Sequence, residues 1–348
     1  MFRASLAVSV LLLIAVLFVL VVLPGGPRTV YKHFLYSLPE RSVSFSLPAI
    51  EKGKPSISTK AEARQLRRLL GDLVDKDIQP GPARAPYSDE RVVSLLQPSS
   101  HRWFRIGSAY TLELEPDQPT GRHLIYQEGH AGYRDCSSRL CVDESALRLI
   151  SSALEAGYSV SVLWLPWQGP NARDDNSTLE ATRAAGESDE KFIADLVSPI
   201  WHVVREDSRV TLAGLSYGAS VVPLYAALDA RIERAVAVDP NPPFACWNWI
   251  ACALQVNKVG DQQPFVPWNF DQYKPLRGVL NQFDLYLMAA MDRVFIQVLN
   301  RGFMGNFVES YESNLDLAAR AMNGRFQGVI VEGKEHVVPP EAIGLILR

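Results

Sequence analysis

The chain has 348 residues, 47% of them apolar and 21% charged, which excludes extensive disorder and leaves room for one large domain with insertions rather than two full domains. Its formal net charge is −3 and its basic residues are scattered, so the basic stripe that a phosphate backbone requires is missing and nucleic acid is excluded as an expected partner.

Residues 6–23 carry no charge and match the length of a helix that crosses a bilayer, with Pro24, Gly25 and Gly26 as its stop. A cleaved signal peptide is the nearest competitor. Its apolar stretch is usually shorter and ends in small residues, whereas Val22, Leu23 and Pro24 stand here. The expectation is an uncleaved transmembrane anchor over residues 1–24, making this a single-pass membrane protein that contacts the bilayer through its N-terminal helix. Sidedness has opposing signals. Arg28, Lys32 and Arg41 follow the span and favour a cytoplasmic C-terminal side. Four cysteines, spaced as the local pairs Cys136 with Cys141 and Cys246 with Cys252, favour an oxidising compartment, the alternative being four free thiols. The extracytoplasmic side is the expectation adopted. Neither cysteine spacing matches common zinc sites, so no metal is expected. Asn176-Ser177-Thr178 fits a glycosylation acceptor, relevant only in a eukaryotic secretory pathway.

Residues 25–58 are rich in Pro, Ser and Lys without periodicity and read as a stalk. A helix follows: Thr59 with Glu62 has the capping-box spacing, and Leu66, Leu69, Leu70, Leu73 and Val74 recur on one side. This stripe is expected to pack on the following domain. Arg64, Arg67 and Arg68 on or near the polar side leave a membrane-surface helix as the alternative. This N-terminal helical extension is taken to run over residues 59–100.

From residue 101 short apolar runs alternate with helical stretches. Runs at 103–106 and 110–114 form an antiparallel lead-in. Strands are then expected at 123–126, 160–165, 210–213, 235–238, 295–299 and 329–331, and helices at 143–156, 189–205, 217–228, 283–292 and 308–322. Strand and helix in succession imply crossover units: an α/β fold whose mostly parallel sheet carries helices on both faces, over residues 101–348. Sites in such sheets gather at the carboxyl ends of strands. Residues 241–280 break the rhythm. They include Trp247, Trp249, Phe265, Trp268 and Phe270, and are read as a cap suited to an apolar acyl or aromatic substrate, or as an insertion packed on the scaffold.

The strongest local motif is Gly214-Leu215-Ser216-Tyr217-Gly218, a G-x-S-x-G directly after an apolar strand and before a helix. A serine on so sharp a turn needs small neighbours two residues away, and it lies at a helix N-terminus, where amides favour developing negative charge. The segment resembles the nucleophile elbow of the α/β-hydrolase superfamily, and the resemblance extends over residues 100–348. It implies a serine hydrolase with Ser216 as nucleophile. The run Gln127-Glu128-Gly129-His130-Ala131-Gly132 is similar to the family's oxyanion loop, so amides near His130 or Ala131, with that of Tyr217, are implied as oxyanion donors. A plain glycine turn is the alternative for that run.

The resemblance places the base after the last strand, where His336 stands. An imidazole, with its ordinary pKa near 6.5, can accept the serine proton and return it. The family's usual carboxylate after the penultimate strand is missing, because Asn300-Arg301-Gly302 follows instead. Asp239, ending the strand after the elbow, takes the third role by likeness to pancreatic-type lipases. A structural Asp239-Pro240 turn remains open, with Glu309 or Glu312 as alternative acids. The implied activity is hydrolysis of a small-molecule or lipid carboxylic ester with no cofactor. A catalytically silent membrane-anchored binding protein, and an acyltransferase or peptidase using the same nucleophile, remain as alternatives.

Overall fold

A computed structural model describes residues 55, 57–72, 74, 80–82, 89–107, 109–129, 142–164, 197–204, 208–240, 282–301, 311–333 and 336–348. The predicted membrane span, most of the stalk, the cap-like stretch 241–280, all four cysteines, Asn176 and Glu309 lie outside the described residues. Among the described residues no helix is long and apolar enough to cross a membrane.

The chain lead is α1 (Lys60–Gly71), a two-residue strand β1 (Gly81–Pro82) and α2 (Asp89–Leu96). Next come β2 (Ser100–Ile106), β3 (Ala109–Glu115), β4 (Arg122–Gln127), α3 (Glu144–Glu155) and β5 (Tyr158–Leu163). After a helical segment over 197–203 follow β6 (Arg209–Leu215), α4 (Tyr217–Leu228), β7 (Ile232–Val238) and α5 (Gln282–Ala290). The chain closes with β8 (Val294–Asn300), α6 (Glu312–Ala321), β9 (Arg325–Val331) and α7 (Pro340–Ile346).

Among the described residues nine strands form one sheet in the order β1-β2-β3-β5-β4-β6-β7-β8-β9. β2 and β3 pair antiparallel from Ser100↔Glu115 to Ile106↔Ala109, as the sequence predicts for the lead-in, and β3 pairs antiparallel with β5. From β5 onward every pairing is parallel. The parallel strands read as near-continuous apolar runs because both faces are covered; β5 is buried at every position. Alternate residues feed two cores. Ile125, Leu212, Ala235 and Phe295 pack with α1, α4, α5, α6 and the 197–203 segment. Leu124, Ala213, Val236 and Ile296 pack with α2, α3 and α7.

The chain leaves β4 for β5 on one side and then passes from β5 to β6 on the other, so the order reverses about β4. α3 covers one face and α4 the opposite face, so the connections that follow β4 and β6 leave to opposite sides of the sheet. Such a switch point is where open α/β sheets bind ligands.

Three readings need correction. The strand expected at 160–165 is Tyr158–Leu163, with the buried Trp164 just past its end. α5 stops at Ala290, short of the expected 292; α2 lies within the helical extension expected over 59–100, whereas α7 and β1 have no counterpart among the expected elements. The capping box on α1 is present, with the amide of Thr59 donating to Glu62 Oε2 at 3.0 Å and that of Glu62 to Thr59 Oγ1 at 3.2 Å. Of the expected stripe, Leu66 and Val74 are buried together with Ala63, whereas Leu69 is half exposed; the side chains of Leu70 and Leu73 lie outside the described set. Arg67 turns inward too, donating to the carbonyls of Ala227 (2.6 Å) and Met288 (3.5 Å), near the C-terminal ends of α4 and α5. Helix C-termini carry partial negative charge and orphan carbonyls, which a guanidinium can satisfy.

Candidate active site

Ser216 joins β6 to α4 with φ 59° and ψ −120°, a backbone region that costs a non-glycine residue about 1–3 kcal/mol. The surroundings hold it there. Its amide donates to Val238 O at 2.9 Å, and the amide of Ser220 donates back to Ser216 O at 3.1 Å. The glycines of the motif are required by close approach. A Cβ on Gly214 would lie 2.7 Å from the carbonyl carbon of Gly218, and one on Gly218 would lie 2.2 Å from Gln127 O. The end of β4, the turn and the first turn of α4 thus meet where no side chain fits. Tyr217 opens α4, so its amide belongs to the unpaired set at the helix N-terminus.

The parallel strands end along one rim of the sheet. Gly129 follows β4, Ser216 follows β6, Asp239 follows β7, Asn300 ends β8 and His336 lies beyond β9. Backbone bonds step along this rim: Glu128 N to Leu163 O at 2.9 Å, Asp239 N to Val298 O at 2.8 Å, and Arg301 N to Val331 O at 2.9 Å.

Asp239 also has a positive φ, 45°, and is buried. Its Oδ1 accepts the amide of Asn300 at 2.7 Å, and its Oδ2 accepts the Asn300 side-chain N–H. The same Oδ2 lies 3.2 Å from Nδ1 of His336, which is 28% exposed. A buried carboxylate needs such donors to offset its lost hydration. With Nδ1–H donating to Asp239, Nε2 becomes the basic nitrogen of the ring. Asn300, at the end of β8, thus supports an acid on the neighbouring strand. It also holds the histidine loop, its side-chain N–H reaching Val337 O at 3.5 Å.

The alternative acid Glu312 is engaged elsewhere, accepting the Gly328 amide at 2.7 Å. Among the other histidines, His101 is exposed on β2, His123 is buried on β4 with Nε2 2.9 Å from Ser161 Oγ, and His202 lies in the helical segment. The predicted oxyanion residues His130 and Ala131 lie outside the described residues.

Sequence reasoning passed over Glu128. It is fully buried past the end of β4, its Oε1 accepts the Gly129 amide at 3.0 Å, and its Oε2 has no hydrogen-bond partner among the described residues. Burial pushes the carboxyl up to about 8, the charge of Asp143 acts in the same direction, and the backbone amides of Gly129 and Asp143 oppose it. No local feature of the sequence distinguishes this acid from a solvated loop glutamate.

No protein-family model and no curated relative matches the sequence. Solved structures that resemble the fold include the acetyl xylan esterase of a Thermoanaerobacterium species (TM-score 0.45, 13% identity, covering 81% of this chain and 90% of that one). An esterase from Pyrococcus furiosus aligns with TM-score 0.44 and 16% identity over 73% of this chain and 88% of its own. An acylaminoacyl peptidase from Pyrococcus horikoshii aligns with TM-score 0.41 and 11% identity over 71% of this chain and 39% of its own.

Proposed function

We propose that the protein is a serine hydrolase of carboxylic esters, with Ser216 as nucleophile, His336 as general base and acid, and Asp239 as the group that orients His336. The observation that carries this reading is the contact between Asp239 Oδ2 and His336 Nδ1, at the rim of the sheet where Ser216 occupies its strained turn. Ser216 Oγ bonds to the ester carbonyl carbon as its proton passes to Nε2 of His336, and the carbonyl electron pair moves onto oxygen. Collapse expels the alcohol, which takes that proton, and leaves an acyl group on Ser216. Water then repeats the sequence with His336 as base and releases the acid. The oxyanion would meet the Tyr217 amide and one near His130 or Ala131. Side chains and amides alone supply this chemistry. The aromatic stretch 241–280 supports an apolar acyl or lipid ester as substrate.

The test is labelling with a fluorophosphonate probe together with hydrolysis of short-chain nitrophenyl esters. Wild type labels and turns over, Ser216→Ala does neither, and His336→Ala abolishes turnover. Equal labelling of wild type and Ser216→Ala would overturn the assignment.

The anchor is proposed on the same footing, supported by the charge-free run at residues 6–23. Full-length protein should stay with membranes under alkaline carbonate extraction. Recovery in the supernatant would count against it.

A further inference from the structure

We propose that Ser145, held by Asp143, is a positioning residue that ties the loop carrying His336 to the N-terminus of α3; this rests on the hydrolase reading above. The stretch from Gly129 to Asp143 carries the amides implied as oxyanion donors, and it ends in the cap of α3. Asp143 is that N-cap, its Oδ1 accepting the Ser145 amide at 2.8 Å, as helix N-caps do. The same Oδ1 accepts the Ser145 hydroxyl proton. Ser145 is buried, and with its proton directed to Asp143 its oxygen lone pairs face the other way. They meet the amide of Val338 at 2.8 Å, across 193 residues of sequence. Val338 is two residues beyond His336.

The histidine loop is therefore gripped on both sides of a single peptide group, the one that joins Val337 to Val338. Asn300 on β8 holds Val337 O at 3.5 Å, and Ser145 on α3 holds Val338 N. An ordinary N-cap needs only the Asp143 to Ser145 amide bond, so the hydroxyl relay to Val338 is additional to helix capping. Its effect is to couple the orientation of the imidazole to the element that directly follows the oxyanion loop. A misplacement of about 1 Å in such a group can cost about 100-fold in rate.

The experiment compares wild type, Ser145→Ala, Ser145→Thr and the shape-conserving Ser145→Cys in the full chain, with kcat normalised to the sites titrated by a fluorophosphonate probe. Ser145→Ala should lower kcat per titrated site by about tenfold or more with KM changed less than about twofold, because the loop loses an anchor while the substrate pocket does not. Ser145→Thr keeps the acceptor and should restore most of kcat. Ser145→Cys, a weak acceptor that preserves packing, should fall between them, and it decides the matter if Ser145→Ala does not fold. A merely structural role would lower stability and the number of titratable sites without changing kcat per site; that result for Ser145→Ala or Ser145→Cys overturns the proposal while leaving Ser216 as nucleophile. A wild type that neither labels nor turns over ends the hydrolase reading and this proposal with it.

Discussion

Asn300 donates its backbone amide to one carboxylate oxygen of Asp239 and its side-chain N–H to the other, the oxygen that also faces His336. An amide thus stands at the end of β8 and presents the acid of β7 to the imidazole. Hydrogen bonds to charged groups are worth about 1.5–3 kcal/mol. Asn300→Ala should therefore reduce kcat by about 10-fold to 100-fold through a misplaced carboxylate, as steady-state ester hydrolysis would show. An Asn300→Ala enzyme with unaltered kcat would mean that this donor is not used.

Asp239→Asn probes the acid itself. The amide can present an N–H to Nδ1 and so favour the wrong tautomer of His336. Replacement of this kind costs a serine protease triad about 10⁴-fold in kcat. A loss of comparable size, with KM little changed and circular dichroism unaltered, is expected; a loss below about tenfold would assign Asp239 to the turn rather than to the chemistry.

Gly218→Ala tests the packing of the elbow. Its new Cβ would lie 2.2 Å from Gln127 O and 2.7 Å from Glu128 O, both backbone atoms that cannot swing aside. Overpacking of this kind costs about 1–3 kcal/mol or more, visible as a lowered urea midpoint. Gly71→Ala, at the end of α1 with nothing within 4 Å of the added methyl, should instead be neutral or slightly stabilising.

Glu128 makes stability depend on pH. Its carboxyl is raised from 4.5 to about 8 in the fold, so between those values the folded chain holds a proton that the unfolded chain has lost. The contribution is full below about 4.5 and is lost as pH rises to about 8, with a slope of at most about 1.4 kcal/mol per pH unit. Glu128→Gln, neutral throughout, should flatten this part of the curve in urea titrations at several pH values. A wild-type profile that rises across the same window would contradict a buried neutral acid.

Glu312 and Asp316 of α6 accept the amides of Gly328 and Phe326 on β9, the last strand of the sheet, at 2.7 and 3.2 Å. Sheet edges left with open donors invite pairing with other chains, and these carboxylates close two of them. Glu312→Ala should cost about 1 kcal/mol in stability by orphaning the Gly328 amide, with kcat per titrated site unchanged. Loss of turnover without loss of stability would return Glu312 to the candidate acids.

The sequence by itself determined the alternation of strands and helices, the capping box at Thr59 and Glu62, and the elbow at Ser216. Each is written within a few residues: periodicity, reciprocal caps and small neighbours are local requirements. Asp239 was legible as a candidate because it ends an apolar strand. Asn300 could be read only as the lack of a carboxylate. Arg67 read as a solvent-facing charge, yet it satisfies carbonyls at the ends of two helices that lie far along the chain.

What only the tertiary structure decided is which distant groups share one environment. The contact of Asp239 with His336 spans 97 residues, and that of Ser145 with Val338 spans 193. Neither follows from spacing, because the lateral order of the strands, with β7, β8 and β9 side by side, and the faces on which the helices pack decide which loops converge. The burial that raises the Glu128 carboxyl, and the nearness of Asp143 that adds to it, likewise come from the fold and not from its neighbours in sequence. Electrostatics and hydrogen bonding act through space, so residues with unremarkable neighbours in sequence acquire their chemistry only when the sheet brings its carboxyl ends to one rim.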